Sequence, residues 1–487
     1  TKIKRKIIKH SLYYIINFFS LKNFLTKKNK INFENISKID FYSLKEGDWQ
    51  SLPKEVINHL NSKNIKIIIK FGMNLLKINK NISEFSILSY HHGNPSKYRG
   101  RPAGFYEILN NEKSIGIVVQ SLTNKLDSGK ILALANSKIE NFSYTKTAIN
   151  FYSNSKYLLS KAIDNLLQNK EINLEKNGKI NKLPSNLVVL KFFVSIFKNL
   201  IRKIFYGLFF EKKWKVAITG NNLSFDRDET IISENALIIP VNKKYNFYAD
   251  PFFSCDNKFI RLEALNKLTG LGELLNISTT DLKNQKLIFS KGHNSYPFSF
   301  VFKKKEYLLP EVASYSSQYF LSVDENFKKK YFIKGLEDKR IVDATLFEFQ
   351  KYWYLFFGEN QNSSTVLNLW TSNTPFEKFY PHPKTPIVIS PKNARMAGAL
   401  FISNNRLLRF SQNNEKEYGE SLSVLEINQL SQKVYSEKYI GRIKIDKFKG
   451  PHTINFNKET NQIIYDYYYD KFSFFAGTRR IVGWFNK

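Results

Sequence analysis

The sequence predicts an α/β layer domain over residues 1–180, a linker over 181–213 and an all-β five-bladed β-propeller over 214–487. Three observations carry this. Apolar strand-like runs alternate with helical patterns near the N-terminus, a long basic and apolar stretch follows, and one segment pattern then recurs five times to the end of the chain. A chain of 487 residues exceeds one ordinary core, and 42% hydrophobic content with 15% aromatics is ample for two.

The first stretch, "TKIKRKIIKHSLYYIINFFSLKNFL", has a basic lead and an apolar run, Ser11–Ser20. No small-residue cleavage site follows it and Lys22 and Lys27 intervene, so a basic amphipathic helix is expected rather than a signal peptide. The chain begins at Thr1 rather than Met, and the natural N-terminus is expected to lie upstream. No segment reaches the ~18–20 apolar residues that a transmembrane helix requires.

Residues 51–76 read as a capped helix, a polar turn and a strand, "IKIIIKFG", whose unbroken apolar run suits burial on both faces. "FSILSYHHG" makes a second strand, Phe85 to Tyr90, leading into the glycine-rich turn "SYHHGNPSKYRG". Chemistry in such sheets sits beyond strand carboxyl ends, so a site is expected on that turn. "SIGIVVQSLT" is a third strand and "SNSKYLLSKAIDNLLQ" a helix. Residues 186–213 set apolar side chains at helical spacing among Lys191, Lys198, Arg202 and Lys203. This is either a membrane-surface helix or a connection packed between two domains.

Beyond Trp214, "ADPFFSCDNKFIRLEAL", "YPFSFVFKKKEYLLPEVA", "VDATLFEFQKYWYLFFGE", "MAGALFISNNRLLRFSQ" and "PHTINFNKETNQIIYDYY" share one strand–turn–strand pattern. Anchored on Asp250, Pro297, Asp343, Ala397 and His452, they repeat at steps of 47, 46, 54 and 55 residues, the period of propeller blades. Innermost strands face a central channel. Asp250, Asp343 and His452, with Glu263, Glu311, Gln412 and Asp466 on the returning strands, are expected around its mouth. Carboxylates accept hydroxyl hydrogen bonds and rings stack on sugar faces, so a carbohydrate pocket is expected there.

The net charge of +33 comes mostly from Lys spread among Asn and Ile, without an aromatic–basic RNA motif, zinc finger or helix-turn-helix signal. No nucleic-acid partner is expected. The basic surface suits anionic ligands such as nucleotide sugars, or peripheral contact with a membrane face. A single cysteine, Cys255, excludes an internal disulfide and a Cys-rich zinc site. A reducing, cytoplasmic setting without a metal centre is expected, with membrane association resting on the linker helix.

Strand, histidine turn, strand and then "NKLDSGKIL", with Asp127 placed 36 residues after His91, resembles the catalytic core of the folate-dependent formyltransferases. Methionyl-tRNA formyltransferase and the sugar-nucleotide N-formyltransferases belong to that family. Its pattern is Asn-x-His, a short loop to Tyr-Arg-Gly, and later Leu-Asp-Thr-Gly. Counting back from Tyr98-Arg99-Gly100 places the histidine on His91 and the asparagine on Ser89, with Asp127 as the aspartate, over roughly residues 50–165. The resemblance implies an α/β formyltransferase-like (Rossmann-type) domain, in which His91 takes the proton of an attacking amine and Asp127 fixes its tautomer. Ser89 or His92 would polarise the formyl oxygen in place of the asparagine. Tyr98, Arg99 and Gly100 would form the cofactor side, Arg99 binding a carboxylate or phosphate. The family opens with a strand–helix–strand unit whose first strand Thr1–Gln50 does not supply, so the front end is expected to be incomplete.

"YADPFF", "SYPFSFVF", "LLPEVA", "VDATLF", "ARMAGALF", "EYGESL" and "GPHTINF" resemble the N-terminal propeller of glucosamine inositolphosphorylceramide transferase, itself similar to glycosyl hydrolase family 43. Those hydrolases use an Asp in blade one, an Asp in blade three and a Glu opening blade four. Asp250 and Asp343 match, but the fourth blade reads Arg395-Met396-Ala397-Gly398. Hydrolysis needs a proton donor as well as a partner carboxylate, so the missing Glu argues against ordinary hydrolysis unless Glu311 serves from another strand.

Together the resemblances imply formyl transfer from 10-formyltetrahydrofolate to the amine of an amino sugar, nucleotide-linked or otherwise, in surface-glycan biosynthesis. The propeller would bind or present carbohydrate through Asp250, Glu263, Glu311, Asp343, Arg395 and His452. Two other readings stand beside it: a glycosidase or glycosyl-transfer module in the propeller, and a non-catalytic glycan-binding protein with a degenerate formyltransferase domain.

Overall fold

A computed structural model of the chain describes residues 8–25, 37–72, 75–232, 236–312 and 317–485. It divides into two compact units, Thr1–Ile201 and Arg202–Lys487. The division falls inside the helix Asn186–Phe209, within the expected linker.

The first unit is built on a four-stranded sheet in the order Ile67–Lys70, Ser86–His92, Ser114–Ser121, Ile131–Lys138. Its first pair is parallel and the other two are antiparallel. Ile87, Leu88, Ile117, Val118, Val119 and Ile131 are buried at its centre. "IKIIIKFG" lies at the sheet edge rather than between two neighbours, and Phe71 at its end is 66% exposed. The fourth strand, "ILALANSK", was not expected. Leu44–Glu46, Trp49–Ser51 and Leu75–Leu76 form a separate small sheet, so residues before 51 add no described strand to the main one.

The expected helix after the third strand is two helices, Tyr144–Ser155 and Leu158–Leu167. Ser143 caps the first by accepting from the Lys146 N–H. At its end Asn154 donates to Ser137 Oγ and Ser155 meets His92, tying that turn to the sheet before the helix restarts. The expected cap is absent from the short helix Lys54–Ser62: Pro53 stands at its N-cap and makes no side-chain cap hydrogen bond. The helix Ser11–Leu25 stands where a helix is expected.

The second unit is mostly β and begins before residue 214. Its described strands form five sheets, antiparallel among the described residues apart from the parallel pair Glu229–Ile232 with Tyr435–Ile445. Tyr245–Phe253, Asn294–Phe302 and Ile341–Phe349 open the first three. The fourth holds Arg406–Gln412 between Phe401–Ser403 and Leu422–Leu430. In the fifth, Phe210–Gly220 pairs along its whole length with Gln462–Phe472, so the two ends of the unit share one sheet.

The opening strands of the first three sheets carry the same irregularity. Register slips between Ala249 and Phe252, Ser295 and Phe298, and Val342 and Thr345. Asp250, Tyr296 and Asp343 sit in these bulges with φ of 50°, 48° and 49°. A bulge adds one residue and re-aims the side chains around it, so the repeat read from sequence marks a shared backbone device.

A buried ion pair ties the first two sheets. Arg261, 1% exposed, donates to Glu306 at 2.5 and 3.0 Å. Removing one partner strands a charge, so Arg261→Met should lower unfolding stability by about 3 kcal/mol. Arg261→Met with Glu306→Leu should recover most of that loss in denaturant titration.

Candidate functional site

The two histidines lie inside the strand Ser86–His92, not on a turn after it. Successive side chains of a strand point to opposite faces, so His91 shares its face with Ser89, while His92 shares the other with Tyr90. His92 Nε2 meets Ser155 Oγ at 2.8 Å and its ring packs on Phe151 and Tyr152. Burial, then the neighbouring His91, pushes His92 down to about 4. The expectation that His92 polarises a formyl oxygen is therefore corrected: it is a neutral ring packed against a helix.

His91 does meet Asp127. Nδ1 lies 3.3 Å from Asp127 Oδ1, and Nε2 lies 3.1 Å from the Tyr98 carbonyl oxygen. Both flanking atoms are acceptors, so a neutral ring can donate to one of them. Gly93 allows the ring this place, since a β-carbon there would sit 2.8 Å from Nε2.

Asp127 has a φ of 47° and accepts from the Gly100 N–H at 2.9 Å and Gln120 Nε2 at 3.3 Å. Gly100, at φ 83°, has no room for a β-carbon against the Asn181 carbonyl. Arg99 donates to the Leu126 carbonyl, to Ser128 Oγ at 2.8 Å and to the Lys176 carbonyl at 3.2 Å. Its guanidinium clamps the turn that carries Asp127 instead of presenting a free fork to an anion. Tyr98 lends its carbonyl to His91 while its hydroxyl donates to Glu112 at 3.0 Å. The Tyr98–Gly100 segment thus builds the site from behind.

Two residues of this face escaped the sequence reading. Lys70 stands opposite Ser89 on the parallel neighbour, and Gln120 opposite it on the antiparallel one. Register partners project to one face, so Lys70, Ser89, His91 and Gln120 share it. Burial lowers the Lys70 ammonium from its ordinary value while Asp127 pulls it back. Gln120 is 2% exposed, and its Oε1 is buried without a hydrogen-bond partner. The available signal was a lone polar residue after each apolar run, "IIIK" and "IVVQ".

In the second unit the expected residues fall into two bonded clusters and one cavity wall. His452 Nδ1 lies 3.2 Å from both Asp250 Oδ1 and Asp466 Oδ2, and Thr453 Oγ1 donates to Asp250 at 2.8 Å. Burial alone would favour a neutral His452, but Tyr418, Asp466 and Asp250 outweigh it and hold the ring well above the ordinary histidine range. Asp250, His452 and Asp466 bring ligand-type atoms within 4.8 Å of one another. The ring nitrogen that a metal would need is already shared between two carboxylates.

Asp343 receives Arg395 Nε at 2.5 Å and Gln412 Nε2 at 3.1 Å, and its own N–H donates to Glu311 Oε2 at 3.2 Å. Glu311 keeps some accessible surface, yet desolvation, then Asp343, pushes its carboxyl up to about 8 against the pull of Arg395. Tyr418 joins the clusters, with its hydroxyl 2.6 Å from His452 Nε2 and its ring 5.0 Å from the Arg395 guanidinium carbon. Asp250 and Asp343 are therefore buried against protein donors and do not line an open sugar pocket. Glu263 lies apart, 3.8 Å from His293, in the wall of a cavity of about 710 Å³ with Trp214, Phe247, Lys212 and Arg479. Trp214 also leans on His452, with ring centres 4.9 Å apart.

Residues 230–461 match the family described as glucosamine inositolphosphorylceramide transferase 1, N-terminal. The rice (Oryza sativa subsp. japonica) protein of that name is 28% identical over 206 residues, which are 39% of this chain and 28% of that one. The bifunctional polymyxin resistance protein ArnA of Wigglesworthia glossinidia brevipalpis is 27% identical over 308 residues, 55% of this chain and 44% of that one. The chain thus spans less than half the length of either relative. Among solved structures, a 4-N formyltransferase from Francisella tularensis is 21% identical, with 26% of this chain and 53% of that one covered and a TM-score of 0.23. A thermostable family-43 glycoside hydrolase is 10% identical, covering 41% and 76%, with a TM-score of 0.31. The two resemblances read from the motifs meet in one chain: a formyltransferase-like part followed by a part like the N-terminal region of glucosamine inositolphosphorylceramide transferase 1.

Two outcomes follow from this geometry. Gly100→Ala forces a left-handed β-carbon into the Asn181 carbonyl and should cost about 1–3 kcal/mol in thermal or denaturant unfolding. Glu311 has a folded value above its unfolded one, so its stabilisation is complete below the unfolded value and is lost as pH rises through about 8. Glu311→Gln should therefore show a smaller fall in Tm than the wild type as pH rises through that window.

Proposed function

We propose that the first unit transfers a formyl group from 10-formyltetrahydrofolate to the amine of an amino sugar in surface-glycan biosynthesis. In this reading the five sheets are blades of a propeller that binds the sugar-bearing molecule. The observation that carries the reading is the His91–Asp127 pair, set into the Tyr98–Gly100 segment at a spacing of 3.3 Å.

The formyl-folate is a substrate here and supplies the activated formyl carbon. Asp127 occupies the Nδ1 side of His91, which leaves Nε2 as the working atom. With Nδ1–H donated to Asp127, Nε2 carries the lone pair. Turned away from the Tyr98 carbonyl, it takes the proton of the attacking amine and returns it to the folate nitrogen as the formyl C–N bond breaks and tetrahydrofolate leaves. The unpartnered Gln120 Oε1 is an acceptor for a second amine hydrogen. Ser89 and Lys70 share the His91 face and stand in for the family's asparagine toward the formyl oxygen. In the second unit, Trp214 and Phe247 offer flat surfaces to a sugar ring, and Lys212 and Arg479 favour a phosphate-linked one.

A second reading draws on Glu311. A carboxyl held protonated beside Asp343 is a proton donor for glycosyl chemistry in the second unit.

The test incubates the protein with 10-formyltetrahydrofolate and a panel of nucleotide amino sugars, with mass spectrometry for the formyl increment. The expected result is a formylated product that falls by about a hundredfold or more in His91→Ala and persists in Glu311→Gln. Glycosyl turnover that Glu311→Gln abolishes, with no formylation, would instead support the second reading. Glycan binding with neither activity would leave a non-catalytic module.

A further inference from the structure

The helix Asn186–Phe209 carries an apolar stripe that is exposed among the described residues. Leu187, Leu190, Val194, Phe197, Ile201 and Leu208 are all exposed, Val194 by 68% and Phe197 by 63%. Their alternating three- and four-residue steps, with Phe193 and Leu200 beside them, fill an arc of about 140° at 3.6 residues per turn. The helix is anchored by another side. Val189 and Phe192 are buried, and Phe192 stacks on Phe105 at 4.1 Å.

Charge is arranged to match. Lys191, Lys198 and Arg202 project along one edge of the stripe, and residues 186–209 contain no Asp or Glu. At the far end, Arg480 donates to the carbonyls of Tyr206, Gly207 and Phe210. It fastens there the helix Ala476–Phe485, preceded by Phe474 and Phe475, which are 75% and 68% exposed. That segment also lacks acids and places Arg479 and Arg480 beside exposed Ile481 and Val482.

We propose that this face docks on an anionic phospholipid bilayer, lying in its surface. Among the described residues no helix is long and apolar enough to cross a membrane. A second copy paired along the same seam would need opposite charges on its flanks, and these flanks are cationic alone. An anionic bilayer takes both the apolar stripe and the cationic edge. The helix stripe is separate from the transfer chemistry proposed above, while Phe475, Arg479, Arg480 and Val482 also line the second unit's cavity.

Cosedimentation of the full chain with vesicles decides it. The wild type should bind vesicles of phosphatidylcholine mixed with phosphatidylglycerol and bind phosphatidylcholine alone far less. Phe197→Glu with Ile201→Glu should abolish binding. Lys191→Glu, Lys198→Glu and Arg202→Glu together should weaken binding to the anionic vesicles by about a hundredfold, at roughly 1 kcal/mol per cation, and erase the preference. These positions are exposed, so circular dichroism should be unchanged. Absent or lipid-indifferent binding, or binding untouched in the variants, would overturn the proposal. So would a dimer in light scattering that Phe197→Glu splits and that ignores vesicles.

Discussion

Asp127 is the contact on which the first unit's site depends. One carboxylate binds the His91 ring, the Gly100 amide and the Gln120 side chain, and so joins a sheet strand, a loop and a neighbouring strand. Its backbone is held at positive φ while Arg99 grips the residues on either side. The glycine of the Tyr-Arg-Gly element is needed because its amide must approach that carboxylate under the Asn181 carbonyl. The positions that resemble a formyltransferase therefore form one mechanical unit, most of which orients His91 on the sheet face it shares with Ser89, Lys70 and Gln120.

The second unit solves a different problem with a repeated device. Its first three sheets open on bulged strands that turn Asp250, Tyr296 and Asp343 out of the regular ladder. The Tyr296 hydroxyl bonds Thr345 and the Gly398 amide, while the two aspartates are met by His452 and by Arg395. Buried acids survive because each has donors of its own. Neither aspartate lines the cavity beside Trp214 and Phe247.

Sequence made the periodic features legible. Continuous apolar runs marked three strands of the main sheet, the repeat marked the strand pairs of the second unit, and helical spacing marked Asn186–Phe209. What stayed hidden was pairing. Neighbouring histidines read as one site because they adjoin in the chain, yet strand alternation sends them to opposite faces. Lys70 and Gln120 reach that face through register with Ser89, which no single segment displays. The pairing of Phe210–Gly220 with Gln462–Phe472 spans the whole unit and is equally silent in local composition.

The central claim is that His91 Nε2 works on an amine under the hold of Asp127. A crystal structure with a 10-formyl-folate analogue and a nucleotide amino sugar measures this most directly. The account predicts the sugar amine within hydrogen-bonding reach of His91 Nε2, with the Tyr98 carbonyl released and the Asp127 contact kept. Ligand density confined to the second unit, with the His91–Tyr98 contact intact, would contradict it.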